Sequence, residues 1–305
     1  MSGQALEGAR RSPVPSNDAL LAWYRPRRRA YPWRRRRGPY STLVSEVMLQ
    51  QTQASRVAAA FDPFVARFPS VAHLADAPRS AVVTAWGGLG YNRRAVALSK
   101  AARTIVEEHH GEVPRDPTSL RTLPGVGPYT AAAVASIAYG IAVPAIDTNV
   151  SRVVSRARFG AEAHESARSE TVAAAEAWID AARPGEWNQA LMDLGREVCR
   201  PLPRCGTCPL AGGCEFARLG RVPSGRRRPP SRFDGSDRQI RGSIVRLLRS
   251  ARGRSMSLST LVARSGHPEA RVTACLRALA EDGVIAAGDT ALRGESSGRV
   301  RLDPG

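Results

Sequence analysis

Four cysteines near residue 200 have a spacing that suits a metal centre. They are Cys199, Cys205, Cys208 and Cys214, which form the pattern C-x5-C-x2-C-x5-C. Four thiolates in one loop can enclose either a [4Fe-4S] cluster or a zinc ion, and the spacing alone leaves both open. The fifth cysteine, Cys275, falls in a C-terminal helical pattern and is expected to be a small core residue.

A second candidate for chemistry is a glycine-rich turn in the sequence LPGVGPYTA. Gly125 and Gly127 stand two residues apart there, and backbone of this kind can approach a phosphate closely while the amides of the following helix face the anion. A helix predicted over 117–122 precedes the turn, so the unit is helix, hairpin, helix. Asp147 follows further along the chain. The purely structural alternative is a tight turn between helices, with Asp147 capping a helix over 148–158.

A third candidate lies early in the chain, in the helical segment LVSEVMLQQTQ. It places Glu46 one turn before Gln50 and Gln51. The alternative interpretation is that Glu46 is an exposed helix glutamate and the glutamines form a solvated face.

The elements that must position these residues are mainly helical. Apolar residues recur at helical spacing from Asn17 onward and again near 92–109, 165–182 and 187–198, whereas alternating strand patterns are scarce before residue 280. The sequence therefore predicts a loose basic arm over 1–15 and a predominantly α-helical catalytic region over 16–220, which includes the cysteine loop over 199–214.

A change in composition separates this region from a smaller C-terminal module. Residues 221–237 are rich in Arg, Pro, Ser and Gly and predict an extended linker. In 238–305, helices are predicted over 239–249, 258–263 and 268–281, followed by a β-hairpin formed by 283–285 and 288–290. Three helices and such a hairpin predict a winged-helix-like module whose third helix could enter a DNA groove. A helical cap or a protein-docking module is the alternative.

The charge of the chain favours a polyanionic partner. Its 305 residues carry 45 basic and 27 acidic side chains, for a formal net charge of +18 and a pI near 11.2. That balance suits nucleic acid, with an anionic membrane surface as the other possibility. Eight arginines fall between Arg25 and Arg37, which predicts DNA binding that weakens steeply with salt. Lys100 is the only lysine, which indicates an arginine-favouring coding bias as well.

The sequence also favours a cytoplasmic, nucleoid-associated protein. The N-terminal residues lack an apolar targeting region, so a reducing compartment is expected, in which disulfides are rare. The uncharged stretch over 123–146 is long enough to cross a bilayer, but its glycines and prolines favour a turn followed by a short buried helix.

Together, the glycine turn and the aspartate that follows it resemble the helix-hairpin-helix DNA glycosylase superfamily. The cysteine run looks like the C-terminal cluster loop of its endonuclease III and adenine glycosylase branch, and the Glu46 helix closely resembles the signature helix of MutY-type adenine DNA glycosylases. Further matches are YPWR, GLGY and NQALMDLG. The resemblance covers about residues 17–220 and implies a two-lobed fold, a [4Fe-4S] cluster on the four cysteines, and monomeric action on double-stranded DNA.

The resemblance also implies a reaction. Bifunctional members carry a Schiff-base lysine where this chain has Tyr129, so a monofunctional, water-using enzyme is implied. Adenine leaves readily only when N7 is protonated, and Glu46, flanked by apolar residues, is the candidate acid. Asp147 would stabilise the sugar oxocarbenium ion, with the two carboxylates converging on opposite sides of one extruded nucleotide.

The resemblance also implies roles for eight further residues. Tyr129 would hydrogen-bond near the carboxylates, Asn149 would position them, and the turn at Gly125 and Gly127 would bind the DNA backbone. The adenine pocket would involve Trp33 and Arg34, and the duplex stack would be entered by Gln51 and Tyr91.

The sequence departs from the family pattern in two places. The first cysteine gap is five residues where six is usual, and the 68 residues after the linker are too few for the Nudix-like domain that helps many relatives recognise 8-oxoguanine. The expected function is removal of adenine mispaired with 8-oxoguanine or guanine. A mismatch thymine or uracil glycosylase of the same superfamily is the first alternative, and a non-enzymatic iron-sulfur winged-helix regulator is the second.

Overall fold

The computed structural model describes residues 14–36, 38–223 and 232–305. Most of the predicted arm over 1–15, Arg37 of the arginine-rich block, and the middle of the predicted linker over 221–237 lie outside the described residues.

Helices dominate the described chain. In chain order they are α1 (Asn17–Tyr24), α2 (Pro32–Arg35), α3 (Pro39–Leu49), α4 (Ala54–Arg67), α5 (Val71–Asp76), α6 (Arg79–Ala85), α7 (Arg93–Glu108), α8 (Pro117–Thr122), α9 (Pro128–Tyr139), α10 (Thr148–Phe159), α11 (Arg168–Glu176), α12 (Pro184–Glu197), α13 (Glu215–Arg218), α14 (Asp237–Ser250), α15 (Leu258–Ser265), α16 (Glu269–Glu281) and α17 (Asp289–Arg293). The strands are β1 (Ser255–Ser257), β2 (Ile285–Ala287) and β3 (Arg299–Leu302).

The chain divides into two compact units, and neither is a continuous segment. The first unit comprises Met1–Ala30 and Pro128–Arg228, and the second comprises Tyr31–Gly127 and Pro229–Gly305. The C-terminal helices and strands therefore belong to the same unit as α2–α8.

The first unit is built around α12. Helices α1, α9 and α10 pack on it, and α10 also contacts α11 and α13. The core contains Trp178 and Trp187, whose rings meet edge to face at 5.7 Å, and both are almost fully buried. Their indole N–H groups donate to Pro15 O and Asn17 Oδ1, so each buried polar edge is satisfied and the start of the described chain is held in place.

The second unit has a helical core centred on α4 and α7. Helix α3 packs on both, while α5 and α6 cover α7. Phe64 lies fully buried between Phe68 and Trp86, with ring separations of 5.0 and 5.8 Å in edge-to-face geometry. These aromatic contacts fix the direction of α4, whose partners include the helix that carries Glu46.

The C-terminal part of this unit combines α14–α16 with a three-stranded antiparallel sheet in the order β1-β3-β2. Met256 pairs with Val300 and Ile285 pairs with Leu302, which directs these apolar residues towards the helices. Helix α14 contacts both α15 and α16 and buries Ile240, Ile244 and Leu248.

Two local predictions were wrong in detail. The predicted second hairpin strand, 288–290, begins α17 instead, because Gly288 is the N-cap and Asp289 lies in the first helical turn, where an acidic residue is favourable. The strand that pairs with β2 is β3, and β1 was not predicted.

The helical pattern over 165–182 yields only α11, because Asp180 accepts hydrogen bonds from the amides of Ala182 and Arg183 and forms a turn there.

The uncharged stretch over 123–146 folds as a turn followed by α9, as predicted. No helix in the described part of the chain has the length and apolar composition needed to cross a membrane.

Candidate active site

The predicted site residues are divided between the two units. The second unit contains Trp33, Arg34, Glu46, Gln50, Gln51, Tyr91, Gly125 and Gly127. The first unit contains Tyr129, Asp147, Asn149 and the four cysteines.

Glu46 is a buried acid on α3. Glu46 is only 5% exposed, and its sequence neighbours Ser45 and Val47 are buried even more deeply. The interpretation of Glu46 as an exposed helix glutamate is therefore wrong. A carboxyl buried inside the protein is the kind of group that general acids of glycoside hydrolysis use.

Helix α2 carries an aromatic platform that packs against α3 and α4. The rings of Tyr31 and Trp33 stack with centroids 4.6 Å apart and an interplanar angle of 8°. Trp33 also contacts Phe61 edge to face at 6.0 Å, and the Arg34 guanidinium lies 5.4 Å from the centre of the Tyr31 ring. The half-buried YPWR segment thus presents flat π surfaces and a cation, groups suited to holding a nucleobase.

The sequence analysis missed Arg94, which holds the end of the Glu46 helix. Arg94 is only 7% exposed. Its Nη1 donates hydrogen bonds to the carbonyls of Val47, Met48 and Gln50 at 2.9, 2.8 and 2.6 Å. These carbonyls belong to the last turn of α3 and the residue after it, where intrahelical donors are missing. Burial lowers the pKa of Arg94 to about 10, which leaves the side chain cationic at neutral pH.

Arg94 also joins the two segments predicted to enter the DNA stack. Its Nη2 donates to Thr52 Oγ1 at 2.9 Å and to Gly90 O at 3.1 Å. Gln51 and Tyr91, the residues next to these partners, have left-handed backbone with φ values of 53° and 47°. Strained backbone at non-glycine residues is costly and is concentrated at functional sites, so this feature supports a role for both segments.

The glycine turn between α8 and α9 has two different glycines. Gly125 has φ +77°, and a Cβ there would lie 2.7 Å from the Cβ of Ala97, so both backbone conformation and packing require glycine. Its carbonyl accepts a hydrogen bond from Gln50 Nε2 at 3.2 Å. Gly127 has ordinary backbone, and a Cβ there would meet nothing within 4 Å. The local fold therefore requires Gly125, while the exposed backbone at Gly127 is open to a ligand.

Asp147 is the N-cap of α10, as the structural alternative predicted. Its Oδ1 accepts from the backbone amides of Asn149 and Val150 at 2.9 and 2.7 Å. The other carboxylate oxygen, Oδ2, accepts from Asn149 Nδ2 at 2.9 Å. Capping does not exclude a catalytic role, because these hydrogen bonds fix the orientation of the carboxylate.

A second residue that the sequence analysis missed, Arg152, links Asp147 and Asn149 to the cysteine loop. Its Nη2 donates to Asn149 Oδ1 at 2.9 Å and to Gly195 O at 2.7 Å, while Nε donates to Cys199 O at 2.8 Å. Gly195 allows this packing, because a Cβ there would lie 2.7 Å from the Cβ of Asn149.

The NQALMDLG segment supports the chain that leads to Asp147. Asn188 is fully buried on α12 and accepts from Ala145 N at 2.7 Å, while its Nδ2 donates to Val143 O at 3.0 Å. Tyr129, near the start of α9, is half-buried, and its hydroxyl contacts Met192 Sδ at 3.5 Å. The first unit thus holds Asp147, Asn149 and Tyr129 on elements that all pack on α12.

The four cysteines line one small cavity, together with apolar groups such as Val198 and Phe216. Arg156 Nη1 lies 3.7 Å from Cys199 Sγ, and this arginine also donates to the carbonyls of Arg200 and Pro201 at 2.6 and 3.0 Å. Burial raises the pKa of Cys199, and the hydrogen bond from Arg156 opposes that shift.

The residue types fit a centre ligated by four thiolates, because cysteines and N–H donors to sulfur are typical of such sites. In the described residues, no three His, Cys, Asp or Glu side chains are grouped closely enough to hold a single metal ion.

Comparison with known proteins agrees with this geometry. Residues 44–179 match the HhH-GPD superfamily of base excision DNA repair proteins. The adenine DNA glycosylase of Mycolicibacterium smegmatis is 45% identical over 236 residues, which cover 76% of this chain and 80% of that protein. The human adenine DNA glycosylase is 43% identical over 208 residues, which cover 64% of this chain and 38% of the human protein.

Solved structures show the same fold. A thermostable thymine-DNA glycosylase matches with a TM-score of 0.62 and 30% identity, covering 66% of this chain and 94% of that chain. An endonuclease III in a trapped covalent DNA intermediate matches with a TM-score of 0.57 at 23% identity, covering 67% of this chain and 94% of that chain. At this identity the match supports the fold alone.

Proposed function

Because the chain belongs to the adenine DNA glycosylases of the HhH-GPD superfamily, we propose that it removes adenine mispaired with 8-oxoguanine or guanine from double-stranded DNA. The observation that carries this proposal is the buried acid Glu46 on α3, the helix against which the aromatic platform of α2 packs. An enzyme that acts on a base must take it out of the stack, and such a base needs flat surfaces to rest on and an acid to protonate it.

Glu46 is the proton donor in the proposed reaction. It protonates N7 of adenine, which weakens the glycosidic bond and makes the base a good leaving group. As that bond breaks, the electron pair leaves with adenine and positive charge develops on the sugar. Asp147 stabilises this oxocarbenium ion, and the amide donors of α10 hold its carboxylate in a fixed orientation. Water then adds to the anomeric carbon and gives up a proton to the Glu46 carboxylate, which completes the hydrolysis and restores the acid.

The residue after the glycine turn excludes the amine-based route. Tyr129 occupies the position where bifunctional relatives carry lysine, and Lys100, the only lysine of the chain, lies on α7. A phenol cannot form a Schiff base, so the chain releases the base without cleaving the strand through an imine. Asn149 and Arg152 act as positioning residues for Asp147.

In this proposal, the protein binds DNA through backbone groups at the glycine turn, through side chains that enter the duplex, and through arginines. The exposed backbone at Gly127 approaches a phosphate, and Gln51 and Tyr91 fill the space that the extruded adenine leaves in the duplex. Trp33 and Arg34 contact the adenine. The excess of arginine provides the long-range attraction and the salt dependence.

The four cysteines would hold a [4Fe-4S] cluster. The group would have all four protein ligand positions filled, so it would supply no glycosidic chemistry and would instead fix the loop over 199–214 against α10. Arg156 supports this assignment, since it joins the Cys199 sulfur to the backbone of the shortened first gap. Iron content and visible absorbance of the purified protein distinguish this cluster from zinc.

The C-terminal segment over 238–305 would be a winged-helix-like module, because it combines the three helices α14–α16 with a small antiparallel sheet. The enzyme would act as a monomer, which is the norm for the family that the sequence resembles.

A panel of duplexes tests the substrate assignment. Purified protein would be incubated with duplexes that contain one A:8-oxoguanine, A:G, T:G or thymine glycol site. We expect release of adenine from the first two. A thymine glycosylase is the second candidate, because a thymine-DNA glycosylase shares the fold at 30% identity. Cleavage of the T:G duplex alone would replace the adenine assignment with that candidate.

A further inference from the structure

A cleft of about 540 Å³ lies within the second unit, between the segments around Gln51 and Tyr91 and the C-terminal helices. One side is formed by residues 51–53, by Arg56 of α4 and by the turn over 88–93. The other side is formed by Phe233, by Arg238, Arg241 and Gly242, and by Leu279 of α16. A volume of this size is within the range that takes a ligand as large as a nucleotide.

The chemistry of the walls suits a nucleotide. Four arginines line the cleft, and no acidic residue occurs among the described lining residues. They are Arg56, Arg93, Arg238 and Arg241. Two aromatic rings, those of Tyr91 and Phe233, also line it and are 37% and 57% exposed. Guanidinium groups pair with phosphate, and exposed aromatic rings stack on bases, so the combination is typical of nucleic-acid binding.

Arg238 connects the two sides. Its Nη1 donates a hydrogen bond of 3.2 Å to the hydroxyl of Tyr91. Tyr91 is the residue with left-handed backbone described above, and its ring also lies 5.6 Å from the Arg94 guanidinium. The Tyr91 side chain is thus held by one arginine from α7 and one from α14.

Separate contacts anchor the C-terminal part to the helical core and so fix the width of the cleft. Asp303 Oδ2 pairs with Arg79 Nη1 at 2.5 Å, and both side chains are largely buried. Arg79 N donates to Pro304 O at 2.9 Å, and Arg254 Nη1 donates to Ser80 Oγ at 3.1 Å. Ion pairs with little exposure are screened less than surface pairs, so this attachment persists at the salt concentrations used for DNA binding.

We propose that this cleft binds a nucleotide of the DNA duplex, with Arg238 of α14 contacting its phosphate and positioning the Tyr91 ring. The C-terminal module is then part of the DNA-binding surface. This inference rests on the proposed function for the identity of the partner, since a repair glycosylase must bind duplex DNA. It extends that function, because it assigns a role to residues outside the segment that matches the superfamily.

The first test measures binding without any base release. Fluorescence anisotropy would give the Kd for a duplex with a tetrahydrofuran abasic-site analogue opposite guanine, which no glycosylase can process. We expect Arg238→Ala to weaken binding about tenfold, as for loss of one charge-assisted hydrogen bond. It should also reduce the slope of log K against log salt by about 0.9, as for one lost phosphate contact.

The matched control is Arg246→Ala, which removes an equal charge from an exposed position of the same helix outside the cleft. It should leave the Kd and the salt slope near those of the unmodified protein. Equal effects of the two variants would overturn the proposal, because the loss would then reflect net charge alone. Thermal unfolding of both variants shows whether the fold is intact.

The second test isolates the contact with Tyr91. 2-Aminopurine placed beside the abasic analogue reports how far a side chain enters the stack. We expect Arg238→Ala and Tyr91→Phe to lower this signal change, and the double variant to be no worse than the stronger single one, since both remove one interaction. Additive effects would reject the positioning role. Because neither test involves adenine, failure here is distinct from failure of the adenine assignment.

Discussion

Replacement of Arg94 by methionine should destabilise the protein and reduce its activity. The guanidinium donates to three carbonyls at the end of the Glu46 helix and to Thr52 Oγ1 and Gly90 O. Methionine keeps an unbranched apolar stem of similar length but cannot donate a hydrogen bond. The substitution therefore leaves the acceptors in place without their common donor.

The expected loss follows from the geometry at Arg94. Each buried acceptor left without a donor costs about 1–3 kcal/mol, and six acceptors are affected, since Nε also donates to Tyr91 O at 3.4 Å. Water can reach some of them once the guanidinium is gone, and removal of one partner from a buried charged network typically costs about 3–5 kcal/mol in total. For a protein of this size class, that loss lowers the Tm by roughly 6–20 °C.

Thermal unfolding by circular dichroism measures this effect, and single-turnover adenine release measures the effect on Glu46. Arg93→Met is the control for the unfolding measurement, because Arg93 is exposed and adjacent on the same helix. Arg94→Lys, which keeps the charge but not the planar set of donors, should lie between the two. A Tm for Arg94→Met equal to that of Arg93→Met would refute the reasoning.

Three further predictions concern the first unit. Asp147→Asn should reduce adenine release by about 10²–10³-fold while changing stability little, because asparagine is an equally good helix cap; retained release would contradict the role of Asp147. Gly195→Ala should cost about 1–3 kcal/mol through overlap with Asn149, whereas Gly242→Ala, a helical glycine with open space, should be neutral or stabilising in denaturant titrations. Cys208→Ser should lower both the bound iron and the visible absorbance, and iron content equal to that of the parent protein would argue against a cluster held by four cysteines.

The parts of the fold that local sequence determines were predicted well. The helix over 117–122, the turn that follows and the cap at Asp147 depend on nearby proline, glycine and aspartate, and the structure has α8, the turn and the Asp147 cap in those places. The second strand of the predicted hairpin was misplaced because a short strand is defined by its pairing with β1 and β2, which the local sequence does not reveal.

The residues that support the site could not be predicted in the same way. Arg94 and Arg152 make contacts with segments more than forty residues away along the chain, such as Val47 and Cys199. In a chain where nearly all basic residues are arginine, the buried Arg94 and the half-buried Arg152 do not differ in the sequence from exposed arginines. The motifs identify the groups proposed to touch the substrate, while the residues that orient those groups become visible only in three dimensions.

The role of Glu46 as the acid that protonates adenine is tested most directly by single-turnover release of adenine from an A:8-oxoguanine duplex. Glu46→Gln should slow release by about 10²–10⁴-fold, the usual contribution of a general acid, and should leave the Kd for the duplex nearly unchanged. Glu107→Gln, an exposed glutamate on α7, should behave as the parent protein. Release by Glu46→Gln at the rate of the parent protein would contradict the proposed mechanism.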